Sequence, residues 1–130
     1  MYEMKEEYLT GIQMIDEEHT RLFEIAEELY QLCQNTLLYD KYDQLVAVLE
    51  ELKNYTHLHF SHEEEYMESI QYKKLFTQKI QHHAFCEKLD SINLDEADEN
   101  QEQTIEELLK FVTDWLVHHI LETDKQIAEG

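Results

Sequence analysis

Apolar residues recur every three or four positions along most of the chain, which is the spacing of one face of an amphipathic α-helix. The predicted helices cover residues 16–37, 40–69 and 73–92, and a last segment from Asn100 to near Gly130. Asp40 is the predicted N-cap of the second helix, and Asn100 with Gln103 resembles a capping box that opens the fourth. The acidic stretch 93–100 is predicted as a loop.

Each predicted helix carries one apolar stripe. The stripe residues are Ile12, Ile15, Leu22, Phe23, Ile25, Ala26, Leu29 and Leu32; Leu45, Val48, Leu49, Leu52, Tyr55, His59 and Met67; Leu75, Phe76, Ile80, Phe85 and Leu89; and Ile105, Leu108, Leu109, Val112, Trp115, Leu116 and Ile120. Four amphipathic helices with short connections bury their stripes best as antiparallel neighbours. The sequence therefore predicts an all-α fold, an up-down-up-down four-helix bundle that forms a single domain over residues 1–130.

Composition and charge reduce the number of function classes that suit this chain. The chain has 2 glycines and no proline, which favours long helices. Its formal charge of -20, with only 10 Lys and Arg residues, argues against binding to nucleic acid or to anionic membranes and favours cations as ligands. No secretory leader pattern and no long uncharged apolar run is present, so we expect a cytoplasmic monomer with no identifiable protein partner. Cys33 and Cys86 are predicted to be free thiols.

The segment HLHFSHEEEYM, residues 57–67, concentrates metal-binding side chains. Residues four apart on a helix lie about 40° apart around its axis and roughly 6 Å along it. His59 and Glu63 therefore point the same way and can bind one metal ion or two adjacent ones, whereas His62 and Glu64 are rotated well away. The alternative is an exposed, hydrated cluster on an acidic helix.

Donors on the other three helices favour a shared metal site. They are His19 on the first helix, Gln78 and His82 on the third, and His119 and Asp124 on the fourth. The spacing of five between the last two puts them about 140° apart on a regular helix, so Asp124 must reach across or the helix must distort. Imidazoles with two carboxylates and no thiolate suit Fe, Zn, Mn, Co or Cu better than Ca or Mg. Two ions bridged by Glu63 and Asp124 would use the donors economically.

Four segments together resemble the hemerythrin family, in particular its single-domain bacterial members. They are GIQMIDEEH at 11–19, HFSHEEEYM at 59–67, QKIQHHAF at 78–85 and WLVHHILETD at 115–124. The resemblance implies a non-haem di-iron centre, an oxo- or hydroxo-bridged pair of iron ions, with Glu63 and Asp124 as bridging carboxylates. It also implies that His19 and His59 hold one iron, at which O2 binds and is reduced to bound hydroperoxide. The second iron would take His82 and His119.

One position departs from the family pattern, because Gln78 stands where the family has His. Its amide oxygen can coordinate a metal, though more weakly than imidazole. Alternatively a water molecule fills the gap, or the neighbouring His83 turns inward. In each case one iron is expected to be held less firmly. Tyr8 stands where the family usually has Trp.

The resemblance leads to a functional hypothesis. Trp115, Leu116 and Ile120 are expected to line an apolar O2 pocket beside the irons as well as to form core. The leading function is O2 storage, delivery or sensing without substrate turnover. The alternatives are a di-iron redox enzyme acting on peroxide, O2 or nitric oxide, and an iron-storage or metal-responsive module. The remaining histidines, His57, His62, His83 and His118, are expected on the surface or behind the metal ligands.

Overall fold

The computed structural model describes residues 4–35 and 37–129, and every regular element in these residues is helical. A 3-10 turn at Glu6–Tyr8 precedes five α-helices: α1 Gln13–Gln34, α2 Tyr42–Ser69, α3 Leu75–Asp90, α4 Leu94–Glu99 and α5 Gln101–His119. A π-helical turn, Ile120–Asp124, then leads into α6, Lys125–Glu129. The predicted all-α class is confirmed. None of the described helices is both long enough and apolar enough to cross a bilayer.

The long helices pack into a bundle around one main core. Helix α1 packs against α2 and α5, and α2 packs against α3. The predicted stripe of α1 is buried from Ile15 to Leu32, and Leu45, Leu49, Leu52, Phe85, Leu89, Ile105, Leu108, Val112, Leu116 and Ile120 complete the centre. Each fully buried Leu, Ile or Phe contributes about 1.5–3 kcal/mol through removal of apolar surface from water.

The predicted stripe of α3 is partly wrong. Phe76 and Ile80 are 75% and 54% exposed. The buried face of α3 consists instead of Gln78, His82, Phe85 and Leu89, which follow a helical spacing of four, three and four. Phe85 and Leu89 are buried as predicted, whereas in the first half of the helix the buried residues are polar and the apolar Phe76 and Ile80 lie on the exposed face.

The region between α3 and α5 also differs from its prediction as a loop. Residues Leu94–Glu99 form helix α4, and Oδ1 of Asn93 caps it by accepting hydrogen bonds from the backbone N–H groups of Asp95 and Glu96 at 2.9 and 3.3 Å. The predicted capping box at Asn100 is not formed. The Asn100 side chain makes no cap hydrogen bond, and Gln103 bonds to Glu107 instead.

The start of α1 follows a turn held by local hydrogen bonds that the apolar pattern does not contain. The helix begins at Gln13, three residues before the predicted start, and ends at Gln34, three residues early. Ahead of it, the Asp16 carboxylate accepts hydrogen bonds from the backbone N–H groups of Thr10 and Gly11 at 2.8 and 3.1 Å. Gly11 has φ +86°, a conformation that residues with a Cβ rarely adopt. This turn directs α1 into the bundle.

Helix α2 starts two residues after the predicted N-cap, although the predicted residue still contributes. The Asp40 carboxylate accepts a hydrogen bond from the Tyr42 backbone N–H at 3.0 Å. The adjacent Lys41 is 2% exposed, and its ammonium group pairs with Glu102 at 2.7 Å. This ion pair ties the start of α2 to the start of α5.

Candidate metal centre

The predicted pair on α2 faces the interior of the bundle. His59 and Glu63 are 1% and 0% exposed, and Nε2 of His59 lies 3.2 Å from Oε2 of Glu63. One turn of helix separates them, so the rigid backbone of α2 holds the imidazole and the carboxylate in register. The alternative of an exposed, hydrated cluster is wrong for these two residues.

A π-helical turn resolves the spacing of five between His119 and Asp124. Residues Ile120–Asp124 form this turn between α5 and α6. A π-helix has hydrogen bonds from i to i+5, so residues five apart fall on nearly the same face. Nε2 of His119 consequently lies 2.9 Å from Oδ1 of Asp124, with both side chains buried. Of the two predicted solutions, the local distortion of the helix is the one observed.

Helices α1 and α3 supply the other donors. His19 of α1 is 1% exposed, and its Nε2 lies 3.0 Å from Oδ2 of Asp124 and 3.7 Å from Oε2 of Glu63. His82 of α3 is 2% exposed, and its Nε2 lies 3.1 Å from Oε1 of Glu63. The long helices therefore bring four imidazoles and two carboxylates to one buried point.

The two carboxylates divide their oxygens between two groups of histidines. Oε2 of Glu63 and Oδ2 of Asp124 face the histidines of α1 and α2, whereas Oε1 and Oδ1 face those of α3 and α5. Two sets of donor atoms result, and within each set all the atoms lie within 4.8 Å of one another. The first set comes from His19, His59, Glu63 and Asp124, and the second comes from Glu63, His82, His119 and Asp124. Each set has two imidazoles and one oxygen from each carboxylate.

Several buried polar atoms of this cluster lack a partner in hydrogen-bond geometry, although some lie within ion-pair distance of an opposite charge. They are both ring nitrogens of His19, Nε2 of His119, Oε2 of Glu63, Oδ2 of Asp124 and Oε1 of Gln78. A buried polar atom without a partner costs about 1–3 kcal/mol. Because imidazole nitrogens and carboxylate oxygens are first-row transition-metal donors, a pair of metal ions fits this set and would satisfy most of these atoms.

The electrostatics of the cluster favour an ionised Glu63 and protonated His19 and His59 until a metal binds. Burial raises the pKa of Glu63, but the imidazoles of His19, His59 and His82 outweigh it and hold that pKa well below its usual value. Burial lowers the pKa of His59, yet the carboxylates of Glu18 and Glu63 raise it to about 10. For His19, Asp124 and Glu63 likewise overcome burial and raise the pKa. A metal ion must therefore displace protons.

Two further carboxylates orient His59 and His82 through the Nδ1 atoms of their rings. Glu18 accepts hydrogen bonds from Nδ1 of His59 at 2.9 Å and from Nδ1 of His62 at 2.6 Å. Glu64 accepts one from Nδ1 of His82 at 2.8 Å. Such bonds place the proton on Nδ1 and turn Nε2 toward the centre.

Sequence reasoning missed Glu18 and Glu64. Each directly adjoins a residue of the cluster and is rotated from it by about 100°; Glu64 is predicted to lie well away from the site, and no role is predicted for Glu18. That same rotation aims Glu18 at α2 and Glu64 at α3. Immediate sequence neighbours of donors on facing helices are the signal that could have found them.

The remaining histidines lie outside the cluster. His83 and His118 are 73% and 72% exposed and pair with Glu87 and Glu122 on their own helices. The alternative in which His83 turns inward is therefore wrong. His57 is also exposed, whereas His62 reaches the cluster indirectly through Glu18.

Aromatic rings pack directly on two of the site histidines. Trp115 stacks on His119 with a centroid distance of 4.1 Å, and Phe60 stacks on His82 at 4.0 Å. Leu116 and Ile120, expected beside the site, are each 1% exposed within the main core. Phe60 was not among the expected pocket residues, although it follows His59 directly in the sequence.

Gln78 lies at the cluster, as expected from its sequence position. Its side chain is fully buried, and Nε2 donates a hydrogen bond to Oδ1 of Asp124 at 3.1 Å. Its other polar atom, Oε1, has no hydrogen-bond partner.

Comparisons with known proteins agree with this arrangement. The family model described as "Hemerythrin HHE cation binding domain" matches residues 10–129. A bacteriohemerythrin of Clostridium acetobutylicum is 47% identical over 99% of this chain and all of its own length. A myohemerythrin of Theromyzon tessulatum is 31% identical, covering 95% of this chain and 88% of its own. A bacteriohemerythrin of Pseudomonas aeruginosa is 30% identical, covering 88% and 71%. By family model and by full-length similarity, the chain belongs to the hemerythrin family.

Proposed function

We propose that this protein is a non-haem di-iron protein that binds O2 and does not turn over a substrate. The observation that carries the proposal is the division of oxygens: Glu63 and Asp124 each present one oxygen to each of two histidine pairs. A site for a single ion would leave one of these pairs without a role. Membership of the hemerythrin family, whose matched relatives are named bacteriohemerythrin and myohemerythrin, supports iron as the metal.

The proposal assigns each donor to one of two ions. His19 and His59 hold the first, His82 and His119 hold the second, and Glu63 with Asp124 serves both. The iron pair, when bound, supplies the redox chemistry by which O2 is held. The negative charge of the two carboxylates offsets part of the charge of the ions in a site from which water is excluded.

The surrounding side chains keep the site rigid and dry. Glu18 and Glu64 hold their histidines in one ring orientation, and the stacked rings of Phe60 and Trp115 restrain His82 and His119. An apolar lining that includes Trp115, Leu116 and Ile120 favours O2 over water and limits proton transfer to the site.

The proposed topology is the up-down-up-down arrangement of the long helices. Side-chain pairs support it, since residue numbers rise along one helix and fall along its neighbour. The pairs are Glu18–His62 and Arg21–Glu51 for α1 with α2, Glu64–His82 and Lys53–Asp90 for α2 with α3, and Gln78–Asp124 and Phe85–Phe111 for α3 with α5 and its π-helical extension.

Adjacent histidines on α5 provide a matched test. His119→Gln removes a proposed ligand, whereas His118→Gln makes the same change at a side chain that is 72% exposed. Wild-type protein and His118→Gln are expected to retain two irons per chain and to show a visible absorption change that appears with O2 and disappears on its removal. His119→Gln is expected to lose iron. Equal iron content in both variants, or irreversible oxidation of the wild type by O2, would refute the proposal.

A further inference from the structure

Gln78 is the position at which this chain departs from its family, and its contacts indicate what the amide does. An amide can coordinate a metal only through its oxygen, because its nitrogen carries two hydrogens and no available lone pair. In this structure the nitrogen is the atom that faces the cluster, at 3.1 Å from Oδ1 of Asp124. The oxygen has no partner.

The hydrogen bond from Gln78 is compatible with Asp124 serving as a bridge. A carboxylate has about four lone-pair sites, two on each oxygen. Oδ1 of Asp124 can therefore bind a metal ion with one lone pair and accept the amide N–H with the other. Among the described residues, the other polar contacts of the Asp124 carboxylate are with the imidazoles of His19 and His119, which are themselves proposed ligands.

Asp124 has particular need of such a restraint. It lies at the end of the π-helical turn Ile120–Asp124, whose geometry directs it to the centre. A hydrogen bond from α3 ties this turn to the neighbouring helix and fixes the plane of the carboxylate. The fully buried position of Gln78 means that bulk water does not compete for this bond.

We infer that Gln78 is a positioning residue that holds the bridging carboxylate of Asp124, and that it is not itself a metal ligand. The inference rests on the proposed two-ion site. It implies that the ion held by His82 and His119 has two imidazoles and two carboxylate oxygens as its protein donors, as many as its neighbour has.

Stepwise loading of the metal-free protein with Co²⁺ tests this inference, because affinity and visible spectrum are read together. Gln78→Leu and Gln78→Met keep the approximate volume of the side chain but neither donate a hydrogen bond nor supply an oxygen. Loss of a positioning residue behind a metal ligand costs about 10–100-fold in metal affinity. Since Asp124 serves both ions, both Co²⁺ equivalents are expected to weaken by about tenfold or more, and the spectrum at saturating Co²⁺ is expected to match that of the wild type.

The opposite result has a distinct signature. If Gln78 were a ligand, its loss would weaken one equivalent only and change the saturated spectrum, which would overturn the inference. Unchanged affinity at both steps in the Leu and Met variants would also overturn it. Gln103→Leu, at an exposed glutamine, is the matched control, and helical content by circular dichroism confirms that each variant is folded.

Gln78→His calibrates the spectrum. An imidazole at residue 78 is expected to tighten one equivalent and alter the saturated spectrum, since residue 78 adjoins the bridge. An unchanged spectrum would count against the inference, because residue 78 would then lie too far from the ions to orient their bridge. Failure of the wild type to bind two Co²⁺ would instead refute the proposed function, so the two failures are distinguishable.

Discussion

Metal binding to this protein is expected to release protons and to weaken steeply as the pH falls. The main cause is His59, which is 1% exposed and whose pKa is raised to about 10 by Glu18 and Glu63 despite its burial. Only the neutral imidazole binds a metal ion, so the metal-free protein must lose this proton first. One pKa unit corresponds to about 1.4 kcal/mol, so the cost at pH 7 is about 4 kcal/mol.

The expected pH dependence follows from this value. Below the raised pKa, each unit of pH lowers the fraction of neutral His59 about tenfold, so lowering the pH from 8 to 6 weakens metal affinity about a hundredfold through this proton alone. The raised pKa of His19 adds to the slope in the same direction.

Calorimetric titration of the metal-free protein with Zn²⁺ at several pH values measures the metal affinity and the number of protons released. Repeating it in buffers with different enthalpies of ionisation counts the protons released per ion. Glu18→Gln is the informative variant, because an amide next to Nδ1 of His59 stabilises the imidazolium less than a carboxylate does. This variant is expected to show a shallower pH slope. A metal affinity that stays constant between pH 6 and pH 8, with no proton release, would refute the reasoning.

Three further predictions follow from burial and contacts. The melting temperature of the metal-free protein is expected to peak between about pH 4.5 and 6.5. The stabilisation from the raised pKa of His59 is lost as the pH rises toward 10, and the stabilisation from the lowered pKa of Glu63 is lost as the pH falls. A peak above pH 8 in a pH series of thermal melts would contradict this prediction. In urea unfolding, Leu29→Ala is expected to lower the free energy of unfolding by about 2–5 kcal/mol, because Leu29 is 1% exposed. Phe76→Ala is expected to lower it by less than about 0.5 kcal/mol, because Phe76 is 75% exposed. Equal losses would place both residues in the core. Trp115→Ala is expected to lose iron to a chelator about tenfold faster than Trp115→Phe, which keeps a ring against His119, and equal rates would show that the stacking does not hold the ligand.

The helical fold could be predicted because periodicity reports burial wherever the buried face is apolar. This condition holds for α1, whose stripe from Ile15 to Leu32 is buried as predicted. It fails in the first half of α3, where Gln78 and His82 occupy buried positions and Phe76 and Ile80 are exposed. In the first half of α3 the buried positions are occupied by polar residues alone, so the spacing of apolar residues there does not report which face is buried.

The cluster could be predicted in membership but not in detail. The i, i+4 relation of His59 and Glu63 follows from regular helix geometry, and the structure brings all seven predicted polar residues together. The π-helical turn that ends at Asp124 is only one of two predicted solutions, because spacing alone does not choose between a long reach and a distorted backbone. The hydrogen bonds of Glu18 and Glu64 depend on how neighbouring helices face one another, which no single helix encodes.

The central claim is that Glu63 and Asp124 are shared by two metal ions inside the bundle. The most direct test is a crystal structure of the iron-loaded protein with anomalous scattering measured at the iron edge. We expect two buried anomalous peaks, one beside His19 and His59 and one beside His82 and His119, with both carboxylates between them. A single peak, or iron bound only at the acidic surface, would contradict the account.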